Sequence, residues 1–171
     1  MRHLFLCSAA LLFQLGVSCP ASAQIGQGPP PLAWRTFVIP ESGTRIDYPA
    51  AIFAPAGAAE KGVGERFESR DGRAVLSIYS QENAEGDSPL DYLRKNLRID
   101  PAGLEYRRIT SSFFAISMER DGLIYYSRCN FSGAAAGITH CFDLVYPQEQ
   151  KRAWDAVVTR ISLSLQPKAR G

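Results

Sequence analysis

Three side chains that can carry chemistry lie close together late in the sequence: Cys129, His140 and Cys141. Thiolates and a neutral imidazole are zinc ligands, and two cysteines can also act as a redox couple or form a structural disulfide. His140 and Cys141 are neighbours in a strand-like run, so their side chains point to opposite faces, which disfavours a shared metal. No Cys-x-x-Cys motif, the arrangement typical of redox thiols, is present. We therefore predict a disulfide between Cys129 and Cys141 and no metal site.

The two cysteines lie on the arms of a predicted hairpin, Leu123–Phe131 and Ile138–Tyr146, joined by the turn Gly133–Gly137. If the turn is symmetric, Cys129 lies directly opposite Cys141, an arrangement that allows a disulfide. The even-numbered side chains of both arms then share one apolar face, which we expect to build the core. The odd-numbered face is more mixed, because the same register places Ser127 opposite Asp143.

A hydrolase of the Ser–His–acid type would have to use His140, because the one other histidine, His3, lies at the extreme N-terminus. No Gly-x-Ser-x-Gly motif is present to expose a nucleophilic serine. The predicted register places His140 opposite Asn130 near the hairpin tip, where a solvated or hydrogen-bonded histidine is expected. We predict no catalytic residue, and a small envelope hydrolase using His140 stays open as an alternative.

Arg128 and Tyr126 join His140 as the candidate functional residues, since all three lie on the even-numbered face of the hairpin. A strand tyrosine can line a groove, although such residues usually pack and keep a solvated hydroxyl. The glycines at Gly57–Gly64 lack the phosphate-binding motifs, and the aspartates lack the spacing of a calcium loop. We therefore expect no cofactor.

The first residues have the pattern of a secretory signal peptide. A positively charged start precedes the apolar run Leu4–Val17, and the small residues Ala21 and Ala23 mark a cleavage site. The pattern predicts a signal peptide over 1–23, and an exported protein that is periplasmic or secreted. The apolar run is short for a membrane span, so we expect none after cleavage. An uncleaved anchor and lipidation at Cys19 are the alternatives.

The charge of the chain is nearly balanced, with 19 basic and 17 acidic residues and a formal net charge of +2. A nucleic-acid-binding stripe or a polybasic membrane patch would need a strong excess of Lys and Arg. The composition therefore predicts no nucleic-acid partner.

The hydrophobic pattern predicts an α+β domain. Strand-like runs dominate, and short turns such as Asp71-Gly72 and Asp121-Gly122 join them, which forces antiparallel neighbours. A first helix is predicted at Pro89–Leu97, capped by Ser88. A second helix begins near Gln148 and has its apolar face at Trp154, Val157, Val158, Ile161 and Leu165. We predict an antiparallel sheet of about six to seven strands with both helices packed on it.

The chain divides into a lead-in and one folded domain. Residues 24–35 are rich in Pro and Gly and form a flexible lead-in. The remaining residues, 36–167, form the α+β domain, in which the Ala/Gly/Pro-rich stretch Ala50–Gly64 is predicted to be a loop. The run Tyr106–Arg120 is predicted to form two strands or one bent strand.

The segment Gly43-Thr44-Arg45-Ile46-Asp47-Tyr48-Pro49 resembles the Gly-x-x-Ile-x-Tyr-Pro opening of domains with the PsbP-like fold. The later order is similar as well: a strand pair, a helix, antiparallel strands, and a terminal helix bearing Ile161–Leu165. The chain also resembles small bacterial exported proteins of that pattern, whose function is uncharacterised. The resemblance implies an α/β/α sandwich and a docking role rather than catalysis, and it carries over no functional residue.

These observations predict an exported, non-catalytic binding or interaction domain. Its partner is expected to be an envelope protein. A small carrier of apolar ligands is a further alternative. Neither the identity of a ligand nor the oligomeric state follows from the sequence.

Overall fold

The computed structural model describes residues 32–98, 101–132 and 137–167 of the 171-residue chain. The strands in these ranges are β1 Trp34–Ile39, β2 Thr44–Pro49, β3 Phe53–Ala58, β4 Val63–Ser69, β5 Val75–Asn83, β6 Tyr106–Ile109, β7 Phe113–Arg120, β8 Leu123–Ser132 and β9 Gly137–Pro147. The helices are α1 Pro89–Lys95 and α2 Lys151–Ser164, with short 3-10 turns at Pro101–Gly103 and Gln148–Gln150. The fold is α+β, as the pattern of the sequence predicted.

Seven strands form one antiparallel sheet in the order β3-β4-β5-β9-β8-β7-β6, and β1 pairs with β2 in a separate two-stranded sheet. The central strand β9 pairs with β5 on one side and with β8 on the other. The β8–β9 hairpin therefore forms the middle of the main sheet. Every other strand of that sheet lies on one side of it or the other.

The predicted hairpin register is confirmed. Cys129 pairs with Cys141 and Asn130 pairs with His140. The two cysteines form a disulfide with their Cα atoms 4.1 Å apart. Because side chains alternate along each strand, this register divides the sheet into two faces. The disulfide lies on one face and His140 on the other.

The larger core lies on the face of His140, as predicted from the even-numbered residues. The side chains of Phe142 and Leu144 on β9 pack there against Ile46 of the β1–β2 sheet. The predicted apolar stripe of α2 covers the same face, and all of its members are buried: Trp154, Val157, Val158, Ile161 and Leu165. Full burial of one such side chain contributes roughly 1.5–3 kcal/mol, so this core holds α2 and the small sheet in place.

The smaller core surrounds the disulfide on the opposite face, where α1 packs. Tyr92 and Leu93 of α1 contact Phe114 and Tyr79 next to the bonded cysteines. The predicted cap is present, since Ser88 Oγ accepts a hydrogen bond of 3.2 Å from the backbone N–H of Asp91. A seven-residue helix is about 10 Å long, whereas a seven-stranded sheet is about 29 Å wide. As a result, α1 covers only one corner of its face.

The prediction of a loop over Ala50–Gly64 is wrong, because β3 and the start of β4 lie there. Alanine, glycine and proline are rare in strands, so the composition carried no strand signal. β3 is an edge strand that pairs only with β4, and Pro55 is tolerated at an edge because no further strand needs its N–H. Burial of Phe53 at 2% exposure anchors the strand.

Other boundaries need smaller corrections. Trp34 and Arg35 are the first residues of β1. The first helix ends at Lys95 instead of Leu97, and Asn96 is its C-terminal cap. The run Tyr106–Arg120 forms two antiparallel strands, as one of the two predictions for it states.

Several predictions fall outside the described residues. These are the signal peptide over 1–23 with Cys19, the lead-in up to residue 31, and residues 133–136 of the hairpin turn. Within the described ranges, neither helix has the length and apolar character that crossing a membrane requires.

Replacing Cys129 and Cys141 together by alanine is expected to lower the free energy of unfolding by up to about 3 kcal/mol, because the bond restricts the unfolded chain. Residual hairpin structure in the unfolded chain would reduce this loss. Urea denaturation of the chain beginning at Gln24 measures it. Wild type treated with a reductant is the matched control, since the same bond is broken there. Two titratable thiols in the folded, oxidised protein would contradict the disulfide.

Candidate functional site

His140 is buried, with 2% of its surface exposed, and both of its ring nitrogens are hydrogen-bonded. Nδ1 lies 2.6 Å from Thr44 Oγ1 at the start of β2, and Nε2 lies 2.9 Å from Ser132 Oγ at the end of β8. Thr44 Oγ1 lies in turn 2.7 Å from Ser42 Oγ. His140 therefore connects the small sheet to the main sheet through a chain of hydroxyl groups.

The directions of these hydrogen bonds follow from satisfying all of them together. Ser132 donates to the backbone carbonyl of Ile138 at 3.2 Å, which leaves its oxygen to accept from His140 Nε2–H. Nδ1 is then the unprotonated nitrogen, and it accepts from the hydroxyl of Thr44. Ser42 completes the chain by donating to Thr44 Oγ1. The inferred tautomer thus carries its proton on Nε2.

This tautomer is the reverse of what a serine hydrolase needs. A catalytic histidine accepts the proton of the serine at one nitrogen, and a carboxylate orients the other. Here Nε2 donates to Ser132, and the group at Nδ1 is the hydroxyl of Thr44. The arrangement favours a structural role for His140.

Burial lowers the pKa of His140 below its ordinary value of 6.5, because the interior disfavours the charged ring. Between the folded-state pKa and 6.5 the unfolded chain binds the proton more readily. We therefore expect the free energy of unfolding to be highest above pH 6.5 and to fall as the pH falls through this window. The slope is at most about 1.4 kcal/mol per pH unit.

Urea denaturation from about pH 7.5 to about pH 5.5 tests this expectation on wild type and His140→Gln. The variant is expected to be less stable throughout and to show a flatter pH dependence. The pKa values of three carboxyl groups lie below their usual values, so these groups titrate below the pH range of the experiment. They are present in both proteins and belong to Asp71, Glu119 and Glu149. Equal slopes for the two proteins would contradict the assignment to His140.

The structure brings the other two candidates, Arg128 and Tyr126, to one point on α2. The hydroxyl of Tyr126 lies 2.9 Å from Ser162 Oγ, and Nη1 of Arg128 donates to the same oxygen at 3.0 Å. His140 lies on the same face of the sheet but belongs to the separate hydrogen-bond chain described above. The three candidates therefore form two sites, not one.

A cleft lies on the opposite face, beside α1, where no other helix or strand of the described residues covers the sheet. Its volume is about 530 Å³. Apolar side chains line most of it, among them Val75, Met118, Tyr125 and Val145. Asp143 lies among these side chains. It belongs to β9, the central strand of the main sheet, so this charged group of the cleft lies at the centre of the sheet.

The carboxylate of Asp143 accepts three hydrogen bonds. Ser127 Oγ donates to Oδ1 at 2.6 Å, while the hydroxyl of Tyr79 and Nζ of Lys61 donate to Oδ2 at 3.2 Å and 2.9 Å. Ser127 and Tyr79 are held by strands of the sheet, whereas Lys61 lies between β3 and β4. Burial and the charge of Asp143 raise the pKa of Tyr79, so its hydroxyl remains a donor.

Lys61 is the hydrogen-bond partner of Asp143 that another cation can replace. The side chain of Lys61 is 47% exposed and that of Asp143 is 25% exposed. An ion pair with this much exposure contributes roughly 0.2–1 kcal/mol, because water screens it and the lysine loses rotamer freedom. A second cation in the cleft can therefore replace Lys61 without a large loss, while Ser127 and Tyr79 keep the carboxylate in position.

No local pattern in the sequence singles out this site. The register did place Ser127 opposite Asp143, and a charged residue within the apolar run Cys141–Tyr146 is a usable signal. Lys61 and Tyr79, however, lie 82 and 64 residues away from Asp143 in the chain. Only the pairing of β5 with β9 brings Tyr79 beside the carboxylate.

Comparison with known proteins finds no matching protein family and no characterised relative of similar sequence. The disulfide removes Cys129 and Cys141 as thiolate ligands for a metal. Among the described residues, no three His, Cys, Asp or Glu side chains lie close enough together to hold a metal ion.

Proposed function

We propose that the protein is an exported, non-catalytic binding domain whose binding site is the cleft around Asp143. The observation that carries this proposal is the largely apolar cleft beside α1, which the described residues leave open, with the carboxylate of Asp143 held in it by Ser127 and Tyr79. Apolar clefts of this size with a few convergent polar groups are typical of ligand sites. The disulfide supports export, because such bonds persist in oxidising compartments.

The chemistry of the cleft favours a ligand that joins a cation to an apolar body. The carboxylate of Asp143 would receive the cation in the place of Lys61, forming a charge-assisted hydrogen bond. Tyr125, Met118 and the neighbouring valines would receive the apolar part. Arg66, the other cation of the cleft, is already engaged by Glu68 and leaves Asp143 available. We thus propose a primary amine on an aromatic or aliphatic body as the ligand class.

Such an amine can come from two sources. One is a lysine side chain of an envelope protein, which agrees with a docking role and with the PsbP-like assignment that we retain as a proposal. The other is a small free amine, which would make the protein a ligand carrier. Both sources place the same group against Asp143, so one set of variants tests the shared chemistry.

Phenethylamine is the probe for this chemistry, and phenylpropionate, with the opposite charge on a similar body, is its control. We expect wild type to bind the amine in preference to the carboxylate. Asp143→Asn keeps the size and one acceptor oxygen and should weaken amine binding at least about tenfold, a loss of about 1.4 kcal/mol. Lys61→Met should strengthen it, because Lys61 competes for the same carboxylate. Isothermal titration calorimetry measures both changes.

Asp121→Asn is the matched control variant, since Asp121 is an exposed aspartate in the β7–β8 turn. It should bind phenethylamine as wild type does. Equal affinity of wild type and Asp143→Asn would refute the site. A photo-crosslinking residue at Tyr125 then separates the two sources: a crosslinked envelope protein that is lost on Asp143→Asn indicates a lysine side chain. A bound amine in protein purified from its host indicates a free ligand.

The hydrolase alternative is favoured by one contact, the 2.9 Å separation of Ser132 Oγ and His140 Nε2. A screen with ester and peptide substrates tests it on wild type, Ser132→Ala and His140→Gln. We expect the same background rates from all three proteins, because the inferred tautomer leaves Ser132 without a base. A rate that wild type shows and both folded variants lose would establish a hydrolase and overturn the non-catalytic assignment.

A further inference from the structure

A second groove lies on the face of the sheet that carries α2. Its volume is about 420 Å³, and it runs between α2 and the strands β7 and β6 at the edge of the sheet. The groove contains both candidates left unexplained above, Arg128 and Tyr126, together with Arg108, Phe113 and Leu163. It lies on the opposite face of the sheet from the Asp143 cleft.

Two arginines flank one alanine across three adjacent strands. Arg108 of β6 and Arg128 of β8 both pair with Ala115 of β7, so they project from the same face on either side of it. Neighbouring strands are about 4.8 Å apart, which places the two arginine backbones roughly 10 Å apart. Ala115 itself is buried, with 3% of its surface exposed. The two arginine side chains thus lie on the same face of the sheet, on either side of Ala115.

Both arginine side chains stack against the ring of Phe113. The guanidinium carbon of Arg128 lies 4.6 Å from the ring centre, and that of Arg108 lies 5.4 Å from it. Stacking on an aromatic ring stabilises each guanidinium and limits its rotation. Both positive groups therefore converge on the same part of the groove.

Arg128 is also held by hydrogen bonds. Its Nε donates to Asn130 Oδ1 at 3.1 Å and its Nη1 donates to Ser162 Oγ at 3.0 Å. Partial burial lowers the pKa of Arg128, and the like charge of Arg108 acts in the same direction. A cation that is oriented, partly desolvated and close to a second cation is stabilised when an anion arrives.

Neither arginine has a carboxylate partner among the described residues. The salt bridges in those ranges engage other cations, including Lys151, which pairs with Glu119 at 2.6 Å. Asp155 is the acidic residue that lines the groove, and it forms no ion pair with Arg108 or Arg128. Among the described residues, the arginine end of the groove therefore carries two positive charges that no carboxylate pairs.

We infer that this groove binds an amphiphilic carboxylate, whose head lies between Arg108 and Arg128 and whose apolar tail lies along Leu163 and Tyr106. The planar guanidinium forks match the geometry of a carboxylate. Leu163 is 71% exposed and Tyr106 is 46% exposed, and a tail on them would remove this apolar surface from water. This site is independent of the proposed amine site.

Decanoate is the probe, and calorimetry on the chain beginning at Gln24 is the measurement. We expect decanoate to bind wild type at least about tenfold more tightly than decanol, which shares the tail without the charge, or acetate, which shares the head without the tail. Arg128→Met keeps an apolar stem of similar length, removes the guanidinium, and should weaken decanoate binding at least about tenfold. Arg128→Lys keeps the charge without the fork and should fall between the two.

The controls separate this site from general charge effects and from the amine site. Arg152→Met removes an exposed arginine of α2 outside the groove and should bind decanoate as wild type does. Asp143→Asn should bind decanoate normally, and Arg128→Met should bind phenethylamine normally. Urea denaturation verifies that each variant is folded.

Three outcomes would overturn the inference. Equal binding of decanoate and decanol would show a purely apolar groove. Equal affinity of wild type and folded Arg128→Met for decanoate would remove the arginine from the site. Binding of inorganic phosphate, or of anionic phospholipid vesicles, without binding of decanoate would assign the charges to another ligand.

Discussion

The antiparallel pairing of β8 with β9 is the constraint on which the rest of the structure depends. It runs without a break from Leu123↔Pro147 to Ser132↔Ile138, and the disulfide joins its two strands. Because a shift by one residue would turn every side chain to the other face, this register decides what each face contains. β5 and β7 attach to the outer sides of the hairpin and continue the same alternation across the sheet.

The two faces that this register creates are covered unequally. The fourteen-residue helix α2 and the β1–β2 sheet bury one face over most of its width, and the seven-residue helix α1 buries a corner of the other. A sheet needs its apolar face covered to be stable, but it does not need complete cover. Both proposed sites lie where the cover ends, beside α1 on one face and beyond α2 on the other.

The polar groups on the two faces differ in what surrounds them. His140 has a fixed hydroxyl partner at each ring nitrogen, so its chemistry is fully used in joining the two sheets. Asp143 has two fixed partners and one exposed lysine, which leaves room for exchange. Arg128 has neutral hydrogen-bond partners and a like-charged neighbour, and no carboxylate of the described residues pairs with it. Because both ring nitrogens of His140 have fixed partners, we assign His140 a structural role. Because Asp143 has an exchangeable partner and Arg128 has neutral ones, we propose these two residues as binding groups.

Elements with strong local signals could be predicted before the structure was known. The alternation of apolar residues and the symmetric turn were enough to predict the hairpin register and the disulfide, and the cap at Ser88 and the apolar stripe of α2 were enough to predict the helices. The edge strand β3 was missed, since its alanines and Pro55 carry no local strand signal and its pairing with β4 alone makes it a strand.

Contacts between residues far apart in the chain depend on the complete fold. Thr44 and His140 are 96 residues apart in the chain, and Lys61 and Asp143 are 82 apart. Arg108 and Arg128 face each other only because both strands pair with β7 at Ala115. Local patterns specify the period and the turns of a strand, whereas the order of strands in the sheet depends on packing of the whole chain. That order brings Asp143 beside Tyr79 and Arg128 beside Arg108, which are the contacts on which the two proposed sites rest.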